Sequence, residues 1–409
     1  MDYRTPNNNM RNIAYGGGIR EILARADALE RSGRNILHME IGRPDLDSPK
    51  RAKDAVIRAL EAGDVHYTDM TGSLELRREI AAKYKREAGI DVDPEMEIIV
   101  TAGAIEALMM VFMTMMNPGE EVLIPAPYFP PYGDQIKTAG CVLRGVPCKI
   151  ENGFRPQPQD IEEAVTPQTR IILLNSPNNP TGAVLTRKEL LGIADVARKH
   201  DLLVISDECY EKFIYDSDTP HISMASLPGM RERVFTLSAV SKTFSMTGWR
   251  IGWLLHPAEV KPYLMKCHQG LTTCANSFAQ AGAAEALRSC ASDVEHMIEE
   301  YKRRRDLMVS MLSAIDGIDV PVPGGAFYVF PSIKRLGIGS IDFCRRLLDE
   351  EGVSTVPGQP FGVEDGYLRI TYCRPEGEIR EAISRMADFA KRLRAENSAP
   401  SAKAADKNL

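Results

Sequence analysis

The sequence lacks the patterns that mark several large classes of protein. Its eight cysteines are scattered without a CxxC pair, which is typical of reduced thiols rather than of a disulfide or zinc framework. The longest apolar stretch, residues 107–116, is too short to span a bilayer and is interrupted by Thr114. The opening residues, MDYRTPNNNM, do not show the basic-then-apolar order of a signal peptide. We therefore expect a cytoplasmic protein.

An excess of basic charge and the glycine motifs of nucleotide-binding loops are also missing. The formal net charge is -6, so nothing suggests a nucleic acid or an anionic membrane as a partner. No GxGxxG or GxxxxGK[ST] motif follows a predicted strand, which argues against a nucleotide-binding enzyme. A chain of 409 residues with 44% hydrophobic residues is instead typical of a soluble globular protein with two domains.

Short apolar runs alternate with helix-length segments along most of the chain. Several runs, such as IILL and LLVI, are continuously apolar, which indicates strands covered on both faces and hence a largely parallel sheet between helices. We predict helices at residues 104–116 and 188–199, the second opened by a capping box of Thr186 and Glu189. The predicted strands are residues 97–100, 121–125, 142–146, 170–174, 202–206, 234–238 and 251–255.

Beyond about Leu287 the pattern changes to that of a smaller α+β domain. A long charged helix at residues 294–314 leads into PVPGGAFYVF, a further helix and YLRITY. Residues 37–41 are predicted to form a strand of the same domain, whose parts would then come from both ends of the chain. The predicted divisions are an N-terminal arm with part of the small domain at 1–45, a large domain at 46–290, the small domain at 291–395 and a disordered tail at 396–409.

Polar residues follow three of the predicted strands. Lys242 lies in SKTFSMTGWRIG, Asp207 and Tyr210 lie in SDECY, and Asn179 lies in NNPTG. Ligands of open α/β sheets bind at the carboxyl ends of strands, so we expect these side chains to share a site. Asp207 beside apolar strands needs a cationic partner, such as a pyridinium nitrogen, and Asn179 and Tyr210 can donate hydrogen bonds to a phenolate oxygen. Each motif alone would also suit a turn or a surface charge, but together they indicate a site.

With NNPTG, SDECY, SKTFSMTGWRIG and YLRIT in this order and spacing, the chain resembles the class I/II aminotransferase family. These are aspartate aminotransferase-like, fold-type I enzymes that use pyridoxal 5′-phosphate (PLP), and the resemblance covers residues 19–392. It implies an α/β fold with a mixed, mostly parallel sheet in a large domain plus a smaller α+β domain. It also implies that Lys242 forms the Schiff base with PLP and later moves the proton, while Asp207 keeps the pyridine nitrogen protonated.

The resemblance implies roles for further cofactor-binding residues. Asn179 and Tyr210 match the residues that hold the O3′ atom of PLP, and Arg250 matches the arginine that binds its phosphate. Many relatives have a phosphate-binding serine three residues before the lysine, but this chain has Ala239 there, so Ser241 or Ser238 would substitute. TAGAIEAL matches the phosphate-binding turn, whose backbone amides here belong to Gly103, Ala104 and Ile105.

Aromatic and substrate-binding positions follow from the same resemblance. APYFPPY places Phe129 where the family has a ring stacked on the cofactor, with Tyr128 as the competing choice. HYTDMTGSLELR places Tyr67 where the family has a tyrosine that reaches the partner subunit's phosphate, which implies a homodimer with shared sites. The substrate would be held by three residues, namely Gly42 in IGRPD, Arg369 in YLRIT and Asn179. An ordinary surface charge is the alternative for Arg369.

The expected function is ping-pong transfer of an amino group between an L-amino acid and a 2-oxo acid, with no metal required. Relatives that prefer dicarboxylates use an added basic residue, but this chain has Ile105 at one such position and no Arg or Lys in residues 270–280. We therefore expect neutral, aromatic or broad specificity, unless Arg20 or another residue of the N-terminal arm substitutes. The alternatives are an aspartate-preferring aminotransferase and a C–S β-lyase on the same fold. A PLP-binding transcriptional regulator is not expected, because it would need a DNA-binding module before Ile19.

Overall fold

The computed structural model describes residues 7–11, 13, 19–216 and 218–398. The chain forms two compact units. The first contains Arg43–Tyr301, Pro323–Phe327 and the described part of Met1–Tyr15, and the second contains Lys302–Val322 and the described parts of Gly16–Gly42 and Tyr328–Leu409. These units begin and end near, but not at, the domain boundaries expected at residues 45 and 290.

The strands of the described residues are short, and most follow an apolar run of the sequence. They are β1 (Leu37–His38), β2 (Ile98–Thr101), β3 (Glu121–Ala126), β4 (Val142–Pro147), β5 (Thr169–Asn175), β6 (Leu203–Asp207), β7 (Val234–Ala239), β8 (Gly252–Leu255), β9 (Tyr328–Val329), β10 (Val353–Ser354), β11 (Val356–Pro357) and β12 (Leu368–Thr371). Each of the seven strands predicted for the large sheet overlaps one of β2 to β8.

The helices fill the segments between these strands. They are α1 (Asn8–Arg11), α2 (Ile19–Arg31), α3 (Lys50–Glu61), α4 (Leu74–Ala88), α5 (Ala104–Met115), α6 (Pro131–Thr138), α7 (Pro158–Ala164), α8 (Arg187–Lys199), α9 (Val240–Thr243), α10 (Lys261–Leu271), α11 (Ser277–Ser289), α12 (Ala291–Ser313), α13 (Ser340–Glu351) and α14 (Glu376–Ser398). None of the described helices is long and apolar enough to cross a bilayer. The predicted capping box of α8 is confirmed, since Thr186 and Glu189 satisfy each other's backbone N–H groups.

The first unit is built on a seven-stranded sheet with the strand order β2-β8-β7-β6-β5-β3-β4. Neighbouring strands run parallel except that β8 is antiparallel to both β7 and β2. This confirms the mixed, mostly parallel sheet. Because only β8 is reversed, the carboxyl ends of β2, β5, β6 and β7 meet the start of β8 at one edge of the sheet.

Apolar side chains of this sheet alternate between two packed layers. On β5, Ile172 and Leu174 belong to one buried cluster and Ile171 and Leu173 belong to the other. Both faces are therefore covered, as the continuously apolar runs of the sequence predict. A sheet buried on both faces is rigid and therefore fixes the positions of the residues that follow its strands.

The second unit contains small sheets and the helices α13 and α14. Strand β1 pairs in parallel with β10, and β12 lies between β11 and β9 in an antiparallel sheet. The helix α14 continues to Ser398, so residues 396–398 are helical and the expectation that the disordered tail begins at residue 396 is wrong there. Residues 399–409, the rest of that predicted tail, lie outside the described residues.

Candidate active site

Lys242 lies directly beyond the carboxyl end of β7, in the short helix α9. Its side chain is half-buried. The Nζ atom lies 5.9 Å from the ring centroid of Tyr210 and 5.8 Å from that of Phe327. The two rings contact each other edge to face, with their centroids 5.2 Å apart. Tyr210 is therefore close to Lys242, whereas Phe327 is a neighbour that was not predicted from the sequence.

Asp207 is the last residue of β6, and its carboxylate is buried. Oδ2 accepts a hydrogen bond of 2.7 Å from the hydroxyl of Tyr132, and Oδ1 accepts one of 3.1 Å from the N–H of Cys209. Burial raises the pKa of the Asp207 carboxyl, and these hydrogen bonds offset part of the rise. Among the described residues no basic side chain forms a salt bridge with Asp207, and its hydrogen-bond donors, Tyr132 and Cys209, are neutral.

The loop after β5 is tied to the end of β6 by Asn175. Asn175 pairs with Asp207 in the sheet register, and its side-chain amide donates a hydrogen bond of 3.1 Å to the Asp207 carbonyl. The side-chain oxygen of Asn175 accepts a hydrogen bond of 2.8 Å from the N–H of Asn179. The buried Asn179 is thereby fixed beside the strand end that carries Asp207.

A tight turn between β2 and α5 lies against Arg250. Gly103 is the N-cap of α5 and has a φ of +83°, and a Cβ built on it would lie 2.3 Å from Nη2 of Arg250. Nη2 of Arg250 also donates a hydrogen bond of 3.1 Å to the Ala102 carbonyl. The positive φ favours glycine at position 103, and a side chain there would also displace the guanidinium.

Arg250 itself has an unusual backbone conformation. Its φ of +58° lies in the left-handed region, which costs a residue with a Cβ about 1 kcal/mol or more. Its guanidinium is held by the carbonyls of Thr247 and Ala102, although the side chain is exposed. Non-glycine residues in this region concentrate at functional sites. The backbone strain and the exposed cation together mark this turn as an anion-binding candidate.

The serines near Lys242 differ in their surroundings. Ser238 is fully buried and donates to Glu211 at 3.3 Å, and Ser245 donates to the carbonyl of Leu46. Ser241 is half-buried in α9, one residue before Lys242. Of the two serines considered for the phosphate, Ser238 is engaged by Glu211, which favours Ser241.

The competing aromatic residues Phe129 and Tyr128 also have different environments. The Phe129 ring contacts the Tyr132 ring edge to face at 5.5 Å, and Tyr132 is the residue that binds Asp207. Tyr128 lines a narrow cavity with Phe154 and Leu173. The contact with Tyr132 favours Phe129 as the ring near Asp207.

Tyr67 belongs to the loop between α3 and α4, residues 62–73, which we call the Tyr67 loop. Its side chain is 86% exposed. The loop is nevertheless held firmly, because Ser277 donates to the Asp64 carbonyl at 2.9 Å and Gln280 donates to Thr68 at 3.2 Å. These bonds hold the Tyr67 ring at a fixed position on the surface of the first unit.

The two remaining predicted residues, Gly42 and Arg369, lie in the second unit. Arg369 is buried on β12, where Nη2 donates a hydrogen bond of 2.7 Å to the Glu40 carbonyl. Its guanidinium lies over the rings of Tyr328 and Phe361, at 4.9 and 5.1 Å from their centroids. It is therefore not a surface charge. A Cβ built on Gly42 would lie 2.0 Å from the Tyr328 hydroxyl, so only glycine fits there.

A buried acidic cluster lies behind the strand ends of the first unit. Ligand atoms of Glu208, Glu211 and His221 lie within 4.8 Å of one another, a spacing that could suit a metal ion. However, the Lys83 ammonium lies 2.9 Å from Glu211 and already supplies a cation there. The expectation that no metal is required stays a prediction.

Known proteins resemble this chain over most of its length. A family model described as aminotransferase class I and II matches residues 34–386. A protein named aromatic-amino-acid aminotransferase 2, from Thermococcus litoralis, is 42% identical over 91% of this chain and 95% of its own length. An arginine–pyruvate transaminase from Pseudomonas aeruginosa is 38% identical over 92% of this chain and 96% of its own. The crystal structure of the aspartate aminotransferase from Rhizobium meliloti is 34% identical with a TM-score of 0.91, covering 95% of this chain and 99% of that one.

Proposed function

This chain belongs to the class I and II aminotransferase family, and from the geometry of its site we propose that it uses PLP held around Lys242. It is an aminotransferase, an enzyme that moves an amino group between an amino acid and a 2-oxo acid, as the sequence motifs indicate. The likeness to the Rhizobium meliloti structure also confirms the fold-type I architecture.

The surroundings of Asp207 fit the ring nitrogen of PLP. The carboxylate is buried, and the groups that donate hydrogen bonds to it, the Tyr132 hydroxyl and the Cys209 N–H, are neutral. A buried anion in such a place is stabilised by a cation, and a protonated pyridine nitrogen is one. We expect Asp207 to hold a proton on that nitrogen, while Asn179 and Tyr210 donate hydrogen bonds to the O3′ atom.

The turn at Gly103 fits a phosphate group. The start of α5 offers the backbone N–H groups of Ala104 and Ile105, and helix N-termini attract anions. The N–H of Gly103, the third amide predicted to bind the phosphate, donates a hydrogen bond of 2.8 Å to the Thr101 carbonyl in this structure. Arg250 adds a fixed positive charge at the same turn, and we propose that it binds the phosphate. Ser241 would contribute a hydroxyl, and Phe129 would cover the ring face.

Bound PLP would supply an electron sink for the negative charge left when the α-proton of an amino acid is removed. In this proposal the Nζ atom of Lys242 carries PLP in the resting enzyme and then moves the proton. The rings of Tyr210 and Phe327 flank Nζ and limit its freedom. Arg369 would bind the α-carboxylate of the substrate, with its guanidinium already oriented by Tyr328 and Phe361. Gly42 and Asn179 are the other two residues that we propose to bind substrate.

We propose a broad substrate range that includes neutral and aromatic amino acids. The absence of a basic residue at Ile105 and in residues 270–280 argues against a dedicated site for a second carboxylate. Relatives named for aromatic amino acids and for arginine support breadth. The aspartate aminotransferase of Rhizobium meliloti keeps aspartate as the second candidate substrate. Arg20, the remaining candidate for binding that carboxylate, lies exposed on α2.

We also propose a homodimer in which Tyr67 contacts the phosphate bound by the partner subunit. The support is the match of HYTDMTGSLELR to the family, together with the exposed Tyr67 ring on a firmly held loop. The cytoplasmic location expected from the sequence is a separate prediction, which cell fractionation would test.

The single observation that carries the cofactor proposal is the buried Asp207 carboxylate with neutral partners at the strand end beside β7, whose end leads to Lys242. The test follows the visible absorbance of the purified protein during single turnovers with phenylalanine, arginine and aspartate. We expect each amino acid to change the absorbance and a 2-oxo acid to restore it. Purified protein without bound cofactor would contradict the proposal, and pyruvate release from a cysteine conjugate would favour the β-lyase.

A further inference from the structure

A buried ion pair lies directly behind the phosphate-binding turn. Glu106, in the first turn of α5, accepts a hydrogen bond of 2.5 Å from the N–H of Ala102 with Oε2. Its Oε1 contacts Nδ1 of His268 at 2.9 Å and also accepts from the hydroxyl of Thr272. Glu106 and His268 are 8% and 0% exposed. None of these contacts belongs to the cofactor-binding residues named above.

Both ring nitrogens of His268 have a fixed partner. Nε2 lies 2.9 Å from the carbonyl oxygen of Met70, which can only accept, so Nε2 carries a proton. Burial raises the pKa of Glu106, but hydrogen bonds from His268, Thr272 and the Ala102 N–H outweigh it and hold that pKa below its usual value. The Glu106 carboxyl is therefore ionised, and Nδ1 must donate to it.

This pair connects two elements that are distant in sequence. Glu106 accepts the hydrogen bond from Ala102, which precedes Gly103 in the turn. His268 contacts the carbonyl of Met70, which lies three residues after Tyr67 in the Tyr67 loop. The neighbouring Thr71 carbonyl accepts from Val100 on β2, so the loop and the turn are fixed to the same strand.

We propose that Glu106 and His268 are positioning residues that keep the phosphate-binding turn and the Tyr67 loop in one fixed relation. This inference rests on the proposed function, in which the turn binds one cofactor phosphate and the loop contacts another. In a homodimer with shared sites the turn would serve one subunit and Tyr67 the partner, so the pair would link the two cofactor sites. Neither residue is proposed to touch the cofactor.

The test compares PLP with pyridoxal, which has no phosphate, in binding to the full-length apoprotein. In His268→Gln and Glu106→Gln we expect the affinity for PLP to fall roughly tenfold, as the loss of one charge-assisted contact would produce. The affinity for pyridoxal should not change, because the pair serves the phosphate alone. The double variant should be no weaker than the singles, since either change breaks the same link.

His256→Gln is the matched control, because His256 is also buried in the first unit but its ring contacts the neighbouring Pro257 carbonyl rather than the turn or the Tyr67 loop. It should leave the preference for PLP over pyridoxal unchanged. If His268→Gln fails to fold, Thr272→Val decides, since it removes one donor to Glu106 from an exposed position and should weaken PLP binding about threefold. Equal losses for PLP and pyridoxal, or no loss for PLP, would overturn the inference. A parent protein that binds no PLP would instead contradict the proposed function.

Discussion

The hydroxyl of Tyr132 donates a 2.7 Å hydrogen bond to Asp207, which makes it a direct neighbour of the proposed partner of the pyridine nitrogen. This bond lowers the pKa of a carboxyl that burial raises. We predict that Tyr132→Phe lets the shared proton move toward Asp207 and so weakens the electron sink. The transamination rate should fall roughly tenfold, about 1.4 kcal/mol in barrier, with PLP retained.

Tyr128→Phe is the control for this experiment. Tyr128 lies four residues earlier, and it is Tyr132 rather than Tyr128 that donates to Asp207, so the Tyr128 hydroxyl should be dispensable for the rate. Single-turnover kinetics of both variants, with PLP content measured by absorbance, provide the comparison. Equal rates for Tyr132→Phe and the parent would show that this hydrogen bond does not tune the site.

Lys242→Ala should abolish covalent attachment of PLP and transamination, because Lys242 alone follows the end of β7. Borohydride reduction of the parent followed by peptide mapping should identify Lys242 as the modified residue. Lys266→Ala, on α10, is the matched control and should keep both properties. PLP found on Lys261 or Lys266 in the reduced parent would disprove the assignment.

Asp207→Asn should leave the fold intact and lower the rate by roughly a thousandfold, about 4 kcal/mol in barrier. An amide cannot hold a proton on the pyridine nitrogen, so the carbanion loses its main stabilisation. Asp201→Asn, an exposed carboxylate just before β6, is the control and should be neutral. A rate for Asp207→Asn within about tenfold of the parent would contradict the electron-sink role.

Much of the fold follows from the sequence because its signals are local. The runs IILL and LLVI become strands β5 and β6 buried on both faces, and the Thr186–Glu189 box begins α8 as expected. The start of the disordered tail at residue 396 was wrong, because a polar composition does not end a helix that is already established. The helix α14 continues to Ser398.

The contacts of the site depended on long-range packing that the sequence does not show. Tyr132 and Asp207 are 75 residues apart, and Glu106 and His268 are 162 apart. The tyrosine is part of the APYFPPY segment, but no local pattern relates it to β6. Conversely, residues at strand ends could be grouped in advance, since parallel strands bring their carboxyl ends to one edge.

His38 gives the second unit a dependence on pH. Its Nδ1 contacts Glu40 at 2.6 Å and its Nε2 contacts Glu30 at 3.0 Å. The hydrogen bond to Glu40, which is opposed by burial and reinforced by the charges of Glu40 and Glu30, raises the pKa of His38 to about 9. Because the folded pKa is raised, the stabilisation is complete below about pH 6.5 and is lost as the pH rises through about 9.

We predict that the contacts of His38 with Glu40 and Glu30 together contribute about 1–2 kcal/mol to the free energy of unfolding. The contribution is no larger because Glu30 is half-exposed and its charge is screened by water. The measurement is urea unfolding of the parent and of His38→Gln at pH 6, 7.5 and 9.5. The difference between the two should be largest at pH 6 and near zero at pH 9.5. A difference that does not change with pH would show that His38 is not ionised in the folded protein.

The shared site predicts a specific role for Tyr67. A tyrosine hydroxyl bonded to a phosphate contributes about 1.5–3 kcal/mol as a charge-assisted bond. Tyr67→Phe should therefore weaken retention of PLP roughly tenfold or more, without dissociating the subunits. Dialysis followed by absorbance measures retention, and the sedimentation of the variant checks the dimer. If Tyr67→Phe retains PLP as firmly as the parent protein does, the Tyr67 hydroxyl does not bind the phosphate.

Mixed dimers of Tyr67→Phe and Lys242→Ala subunits decide between a shared and a self-contained site. In each mixed dimer only the Tyr67→Phe chain has an intact Lys242, so only its site can hold PLP covalently. If the sites are shared, that site receives an intact Tyr67 from the Lys242→Ala partner and should retain PLP as firmly as the parent. If Tyr67 acts within its own subunit, the same site has only a phenylalanine and should lose PLP as readily as the Tyr67→Phe homodimer. Loose PLP in the mixed dimer would therefore rule out the shared site.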